Sequence, residues 1–120
     1  MYIDNMGFNE KVKLARNRNT PVDVLRELAK SESASVRMDL AENLNTPEDI
    51  LQDYAKSKSA VLRCRVARNP KAPRKILIKI FETEKSCKKP HNMVIRTLYA
   101  NPNLPLFLKR VIETLYSDTV

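Results

Sequence analysis

Residues 36–47 read Val-Arg-Met-Asp-Leu-Ala-Glu-Asn-Leu-Asn-Thr-Pro, and the core of this stretch occurs four times in the 120-residue chain. In every copy an asparagine is followed four residues later by a proline. The asparagines are Asn17, Asn43, Asn69 and Asn101, so the intervals between them are 26, 26 and 32 residues. Self-similarity at a fixed period is the signature of a repeat protein. The longer last interval indicates an insertion of six residues, which we place near residues 85–91.

The first half of each unit predicts a short helix. In the second copy Val36, Leu40 and Ala41 share one face of a helix over residues 34–42. Asn43 follows this helix, and asparagine tolerates the left-handed backbone conformation that often ends helices. We expect the row of asparagines to be structural, with each side-chain amide tying the bend to the neighbouring turn. The alternative is that the row binds a partner.

The second half of each unit predicts another helix, which begins around Thr46 and Pro47 in the second copy. Threonine is a favoured N-cap residue, and proline suits the first turn. Glu48 and Asp49 complement the positive end of the helix dipole, so this carboxylate pair is explained without acid–base catalysis. The apolar stripe of the helix consists of Ile50, Leu51, Tyr54 and Ala55.

Helix pairs of this kind predict an all-α solenoid without a sheet. One pair cannot bury its own apolar stripe, whereas stacked pairs bury the stripe against their neighbours. At roughly 10 Å between packed helices, four units make an arc of roughly 40 Å, which offers a binding surface rather than a pocket. We expect a single domain over residues 1–120, in which Tyr2 and Ile3 lie over the first helix. The units cover about residues 8–31, 34–57, 60–86 and 92–116.

The second copy has Val-Arg at 36–37, Leu-Ala at 40–41, Asn at 43, Thr-Pro at 46–47, Leu at 51 and Tyr-Ala at 54–55. This pattern resembles the leucine-rich repeat variant family, which is related in style to HEAT-type arrays, and the resemblance covers about residues 8–116. It implies a right-handed superhelix in which α-helices alternate with 3₁₀-helices, although our residue pattern also allows a second α-helix per unit.

Two copies depart from the family pattern at the Val-Arg position. The first has Glu10-Lys11 there, and the last has Val94-Ile95. The best-known member of the family adds a cysteine-rich segment that holds an iron–sulfur cluster. This chain has no such segment, so that chemistry is not implied, and we expect no cofactor.

The composition narrows the class of protein. Hydrophobic residues make up 42% of the chain, which suffices for a core. A single glycine, Gly7, excludes a Gly-rich phosphate-binding loop. No apolar run approaches the roughly 20 residues of a membrane span, so we expect no membrane partner. Two cysteines without a secretory signal favour a cytoplasmic protein.

Positive charge is concentrated in the third unit. The net charge is +8, and residues 54–81 contain nine basic residues and no acidic one. This segment is either a solvated basic face, a contact for nucleic acid or another polyanion, or a contact for an acidic protein surface. The candidate residues for anion or partner binding are Arg63, Arg65, Arg68, Lys71, Arg74, Lys75 and Lys79.

The third unit also breaks the local pattern at its second helix. It has Ala72-Pro73-Arg74-Lys75 where the first two units have Thr-Pro-x-Asp. A lost N-cap hydroxyl costs about 1 kcal/mol, and each cation in a first turn is unfavourable by about 0.3–1 kcal/mol. An anion bound at that helix N-terminus would account for the change. The insertion at 85–91 adds three lysines, as a clamp on a ligand or as a plain exposed loop.

The last helix, after Pro105, has apolar residues on more than one face. We expect an interface there, to a second copy of the chain or to another protein. In the alternative, Met93, Val94 and the inserted loop fold over this helix and leave a monomer. The candidate interface residues are Leu106, Phe107, Val111, Ile112 and Leu115.

The sequence contains few residues that could form a catalytic site. His91 is the only histidine, and Cys87 beside it makes neither a structural zinc site nor a triad without further ligands. Cys64 occupies the position of Val12 and Met38 in earlier units and is expected in the core. We therefore expect no catalytic, cofactor or metal site and a protein that is not an enzyme.

Two further groups of residues are assigned to structure. Tyr54 and Phe81 fall on core positions of the repeat, which leaves no aromatic platform for single-stranded nucleic acid. Arg37 and Arg63 occupy equivalent positions, and we favour an architectural role over a place on the concave face. The leading hypothesis is a scaffold that binds an unidentified protein or peptide. The alternative is nucleic-acid or other polyanion binding through residues 56–79.

Overall fold

A computed structural model describes residues 5–120. Tyr2 and Ile3, which the sequence places over the first helix, lie outside the described residues. Within residues 5–120 the chain forms eight α-helices and no strand, so the prediction of an all-α protein without a sheet is confirmed. The helices are α1 (Phe8–Arg16), α2 (Val22–Leu28), α3 (Ala34–Glu42), α4 (Glu48–Ala55), α5 (Ala60–Arg68), α6 (Arg74–Ser86), α7 (Asn92–Ala100) and α8 (Leu106–Leu115).

Each of the four units contributes two α-helices. The first helices, α1, α3, α5 and α7, have nine residues each, and α3 has the predicted bounds 34–42. The second helices have 7, 8, 13 and 10 residues and are also α-helical. The alternation with 3₁₀-helices that the family resemblance implies is therefore not observed in these four second helices.

The main helix–helix contacts join helices of the same unit or of adjacent units. The first helices pack in order, α1 on α3, α3 on α5 and α5 on α7, and α4 packs on α6. The described residues extend 50 × 24 × 18 Å with a radius of gyration of 15.0 Å. A fully compact domain of this length would have a radius of gyration of about 14 Å, so the molecule is extended along one axis.

The core is one continuous cluster that runs through all four units. Its largest fully buried side chains are mainly leucine and isoleucine, which is what the two apolar stripes of each unit supply. Cys64, Tyr54 and Phe81 are buried in it, as the sequence predicts. Burial of these apolar faces between neighbouring helices is the principal source of stability, at roughly 25 cal/mol per Å² of apolar surface.

The asparagines end the first helices without a left-handed residue. Asn43 has φ −71° and ψ 126°, and Asn17, Asn69 and Asn101 are likewise extended. No residue within 5–120 has positive φ. The expectation of a left-handed asparagine is therefore wrong, because the helix ends are satisfied in another way.

Each buried asparagine side chain bonds to the unit before it. Asn43 Nδ2 donates to the backbone carbonyl oxygens of Ala15 at 2.8 Å and Asn17 at 3.0 Å. Asn69 donates to the equivalent carbonyls of the second unit, and Asn101 to those of the third. The alanine carbonyl of each pair lies in the last helical turn and has no partner within its own helix, so the asparagine satisfies it. The asparagine carbonyl of each pair also accepts a backbone N–H of the following turn, so the side chain adds a second bond there. The predicted tie between the bend and its neighbour is confirmed.

The threonine that precedes the proline in the first two units has a different role from the N-cap that the sequence predicts. Thr46 Oγ1 donates to the carbonyl oxygen of Leu40 at 2.6 Å, and Thr20 Oγ1 donates to that of Leu14 at 2.7 Å. The N-cap of α4 is Pro47, which makes no side-chain bond. Threonine thus satisfies the end of the preceding helix. Ala72 in the third unit loses that bond at the end of α5 and not an N-cap on α6.

The insertion before the fourth unit is partly helical. We expect a loop over residues 85–91, but α6 continues to Ser86 and has 13 residues where α4 has 8. Only Cys87 to His91 are irregular, ahead of α7. Glutamate and lysine in this stretch are good helix formers, which accounts for the continuation.

We predict that Asn69→Ala destabilises the protein by about 2–4 kcal/mol, because two carbonyls and one backbone amide lose a bond at a buried site. Asn17→Ala is the matched control. It occupies the same repeat position but is exposed, and its side chain accepts only a local bond from Asn19. We expect a cost below about 1 kcal/mol for the control. Urea unfolding measures both values, and equal losses would contradict the structural role.

Candidate functional site

Arg63 does not lie on the surface that a binding partner could contact. Its side chain is 3% exposed, and its Nε and Nη2 donate to Glu84 Oε1 at 3.2 and 2.6 Å. Its Nη1 donates to the carbonyl oxygen of Ser57 at 2.7 Å. The prediction that Arg63 contacts an anionic partner is therefore wrong, because a buried carboxylate already holds it.

The architectural interpretation of the arginine pair is confirmed. Arg37 Nη1 donates to the carbonyl oxygen of Ser31 at 3.0 Å, as Arg63 does to Ser57. Both arginines thus hold the segment that leads into their own helix. Only Arg63 has a buried carboxylate as well, since the lengthened α6 is what carries Glu84.

Glu84 is completely buried, and both of its carboxylate oxygens are hydrogen-bonded. Its Oε2 accepts a bond from the backbone N–H of His91 at 2.8 Å and lies 3.2 Å from His91 Nδ1. Burial alone would raise the pKa of Glu84, but the hydrogen bonds from His91 and Arg63 and the arginine charge hold this pKa below its usual value. The carboxylate is therefore ionised at neutral pH and pins α5, α6 and the start of α7 together.

Three other candidate cations are paired with acids of the second unit. Arg65 and Arg68 lie 3.2 and 3.0 Å from the carboxylate oxygens of Glu42. Lys75 lies 3.4 Å from Glu48. These pairs are partly or largely exposed, so each contributes little stability. They nevertheless reduce the positive potential that the sequence alone attributes to the third unit.

Lys71, Arg74 and Lys79 are the remaining cations of the candidate set. All three are exposed, and within residues 5–120 none forms an ion pair. Arg74 occupies the first turn of α6, where acids would be more favourable. The basic surface available to a partner is thus smaller than the count of nine basic residues suggests.

The last helix presents an apolar face to solvent. Leu106, Phe107 and Leu115 are 64%, 60% and 59% exposed. Val111 is half-buried and lines a shallow apolar depression of about 350 Å³ with Leu115. Ile112 is fully buried in the core, so its place in the candidate interface is wrong.

The alternative cover for α8 is not formed by the residues that the sequence suggests. Val94 lies in the core, and Met93 is itself exposed. The tail instead follows α7, where Arg96 Nε donates to the carbonyl oxygen of Thr119 at 2.8 Å. Arg96 occupies the repeat position of Cys64, so α7 has an exposed arginine where the other first helices have an apolar residue.

Sequence reasoning missed one constellation around the insertion. Glu84, Cys87 and His91 each place one potential metal-ligand atom within 4.8 Å of the others. Cys87 and His91 alone are too few for a site, but Glu84 adds a third ligand. The available signal was the occurrence of three ligand-type residues within eight positions. Their approach in space depends on the irregular path of residues 87–91 after α6, which the sequence does not show.

No protein-family model, curated protein or solved structure matches this chain. The likeness to leucine-rich repeat variant proteins therefore rests on the residues of the repeat. None of the helices within residues 5–120 has the length and apolar character that crossing a membrane requires.

We predict that breaking the buried ion pair is costly. Arg63→Met leaves Glu84 buried without its cation and should destabilise the protein by about 3–5 kcal/mol. Glu84→Gln should cost a similar amount, and the double variant should cost less than the two single losses together. The control is Arg68→Met, which removes an exposed pair with Glu42 and should cost under about 1 kcal/mol. Urea unfolding of the wild type, the two single variants and the double variant gives the four free energies of a double-mutant cycle. A double variant that loses as much stability as the two single variants together would contradict a direct interaction between Arg63 and Glu84.

Proposed function

We propose that this chain is a non-enzymatic scaffold that binds a protein or peptide, in the cytoplasm, through the exposed face of α8. In this proposal the four helix pairs form a right-handed α-solenoid of the leucine-rich repeat variant type. The observation that carries it is the cluster of exposed Leu106, Phe107 and Leu115 on one helix. Apolar side chains grouped in this way on a protein surface mark interaction sites, and phenylalanine is among the residue types enriched in interfaces.

The chemistry of the partner follows from the repeat register. The second residue after the proline is acidic in the first two units, Lys75 in the third and Phe107 in the fourth. The sixth residue after it follows the same order, with Lys79 and then Val111. These positions lie on the second helices and are exposed or half-buried. A peptide that suits this order has apolar residues for α8 beside acidic residues for α6.

A second copy of the chain is another occupant of the same face. A homodimer through α8 would bury Phe107 and Leu115 against their equivalents, as twofold interfaces do. The acidic second helices of the first two units and the basic α6 would allow additional contacts between copies. Oligomeric mass distinguishes this arrangement from binding of a different protein.

Nucleic-acid or other polyanion binding through residues 56–79 remains the second candidate. Lys71, Arg74 and Lys79 favour it, since each is exposed and without an ion pair among the described residues. The pairing of Arg65, Arg68 and Lys75 with acids argues for weak, non-specific contact. The apolar face of α8 has no role in that function.

We predict that peptides selected from a random displayed library on the immobilised protein contain apolar residues next to acidic ones. Replacing Leu106 and Phe107 by Glu should weaken their binding by about 30-fold or more, as loss of a hot spot does. The matched control is Val22→Glu, which changes the exposed residue at the same repeat position as Leu106 in the first unit. Binding to the control should be unchanged.

Enrichment of no peptide, or equal binding to both variants, would contradict the proposal. A wild-type dimer mass that the α8 variant lacks would instead assign the face to a second copy. Displacement of the peptides by duplex DNA would favour the polyanion candidate. The affinity for duplex DNA should then fall by about 0.9 logarithmic units for each contacted phosphate when the salt concentration rises tenfold.

A further inference from the structure

The end of α6 brings three different metal-ligating groups together. Glu84 lies in the last turn of α6, Cys87 is the residue that follows the helix, and His91 is the N-cap of α7. Their potential ligand atoms, one oxygen, one sulfur and one nitrogen, all lie within 4.8 Å of one another. All three residues lie in the part of the chain that makes the interval between the third and fourth units six residues longer than the others. The first two junctions between units have no equivalent of this cluster.

We propose that Glu84, Cys87 and His91 form a zinc-binding site at the junction of the third and fourth units. A thiolate, an imidazole and a carboxylate are the three ligand types that Zn²⁺ takes in proteins. Ca²⁺ and Mg²⁺ require oxygen ligands, so a site with a thiolate and an imidazole disfavours them. Three protein ligands leave one tetrahedral position for water or for a group of a bound partner.

Glu84 is prepared for this role by Arg63. The guanidinium group of Arg63 bonds to Oε1, which leaves Oε2 facing His91. Oε2 accepts the backbone N–H of His91 at 2.8 Å and retains a second lone pair. His91 Nδ1 lies 3.2 Å from that oxygen, a separation that one metal ion could bridge. Arg63 acts as a positioning residue, which fixes the carboxylate in the way that outer-shell partners orient metal ligands.

The cluster is accessible to an ion from solvent. Glu84 is buried, Cys87 is half-buried, and the His91 side chain is 46% exposed, so an ion can enter from the solvent side. Binding converts the Cys87 thiol to a thiolate and releases its proton to solvent. The thiolate and the Glu84 carboxylate then contribute two negative charges, against two positive charges on Zn²⁺ and one on Arg63, so the occupied site has a net charge of +1.

The test uses the reduced chain of residues 1–120 and Co²⁺ as a spectroscopic substitute for Zn²⁺. One equivalent of Co²⁺ should produce the absorption band of sulfur-to-cobalt charge transfer, and Zn²⁺ should displace it. Cys87→Ser should abolish the band. Cys64→Ser is the matched control. The Cys64 thiol is buried, lies 3.2 Å from Thr97 Oγ1 of α7 and is not part of the cluster, so this variant should retain the band.

His91→Ala tests the second ligand, and its side chain is exposed enough that the fold should survive. We expect the affinity for Zn²⁺, measured by competition with a chelator, to fall by more than about tenfold. Circular dichroism checks that each variant is folded. No charge-transfer band with the wild-type chain, a band that persists in Cys87→Ser, or an unchanged affinity in His91→Ala would each overturn the proposal.

Discussion

In three of the four units, a buried asparagine side chain donates two hydrogen bonds to carbonyl groups of the preceding unit. These bonds solve a problem that every short helix has, because the carbonyls of its last turn lack partners within the helix. A left-handed glycine is the usual solution, but this chain has one glycine and no positive φ within residues 5–120. The ends of α1, α3 and α5 are therefore completed only when the next unit is in place. This dependence couples neighbouring units and accounts for contacts that extend mainly between adjacent units.

Much of the fold could be predicted from the sequence, and the limits have a physical origin. The apolar periodicity defined α3 correctly because its pattern is local to nine residues. The roles of Asn43 and Thr46 could not be read in the same way. Their bonds run to carbonyls 28 and 6 residues away, so the residue type alone suggested the commoner local roles. The insertion was expected as a loop because a change in repeat length does not reveal which element it extends.

The candidate site was harder to predict. The sequence shows how many charged and apolar residues a segment has, but it does not show which distant residues form ion pairs or pack against them in the folded chain. In the sequence Arg63 resembles the other basic residues of the third unit, and nothing there shows that it is buried together with Glu84, 21 residues later. The α8 helix carries two apolar stripes, and the sequence does not say which of them faces the core. Leu108 and Ile112 do so, which leaves Phe107 on the surface. The features on which our proposals rest are those that deviate from the repeat: the basic α6, its extension and the apolar α8.

Exchange of the asparagine side-chain amide protons, followed by NMR in deuterated solvent, tests most directly whether the asparagine bonds hold the units together. Our account predicts slow exchange for the amide protons of Asn43, Asn69 and Asn101, which should be released only when neighbouring units separate. Asn17 is exposed and should exchange rapidly. Rapid exchange at all four asparagines while the helical backbone amides remain protected would contradict the account.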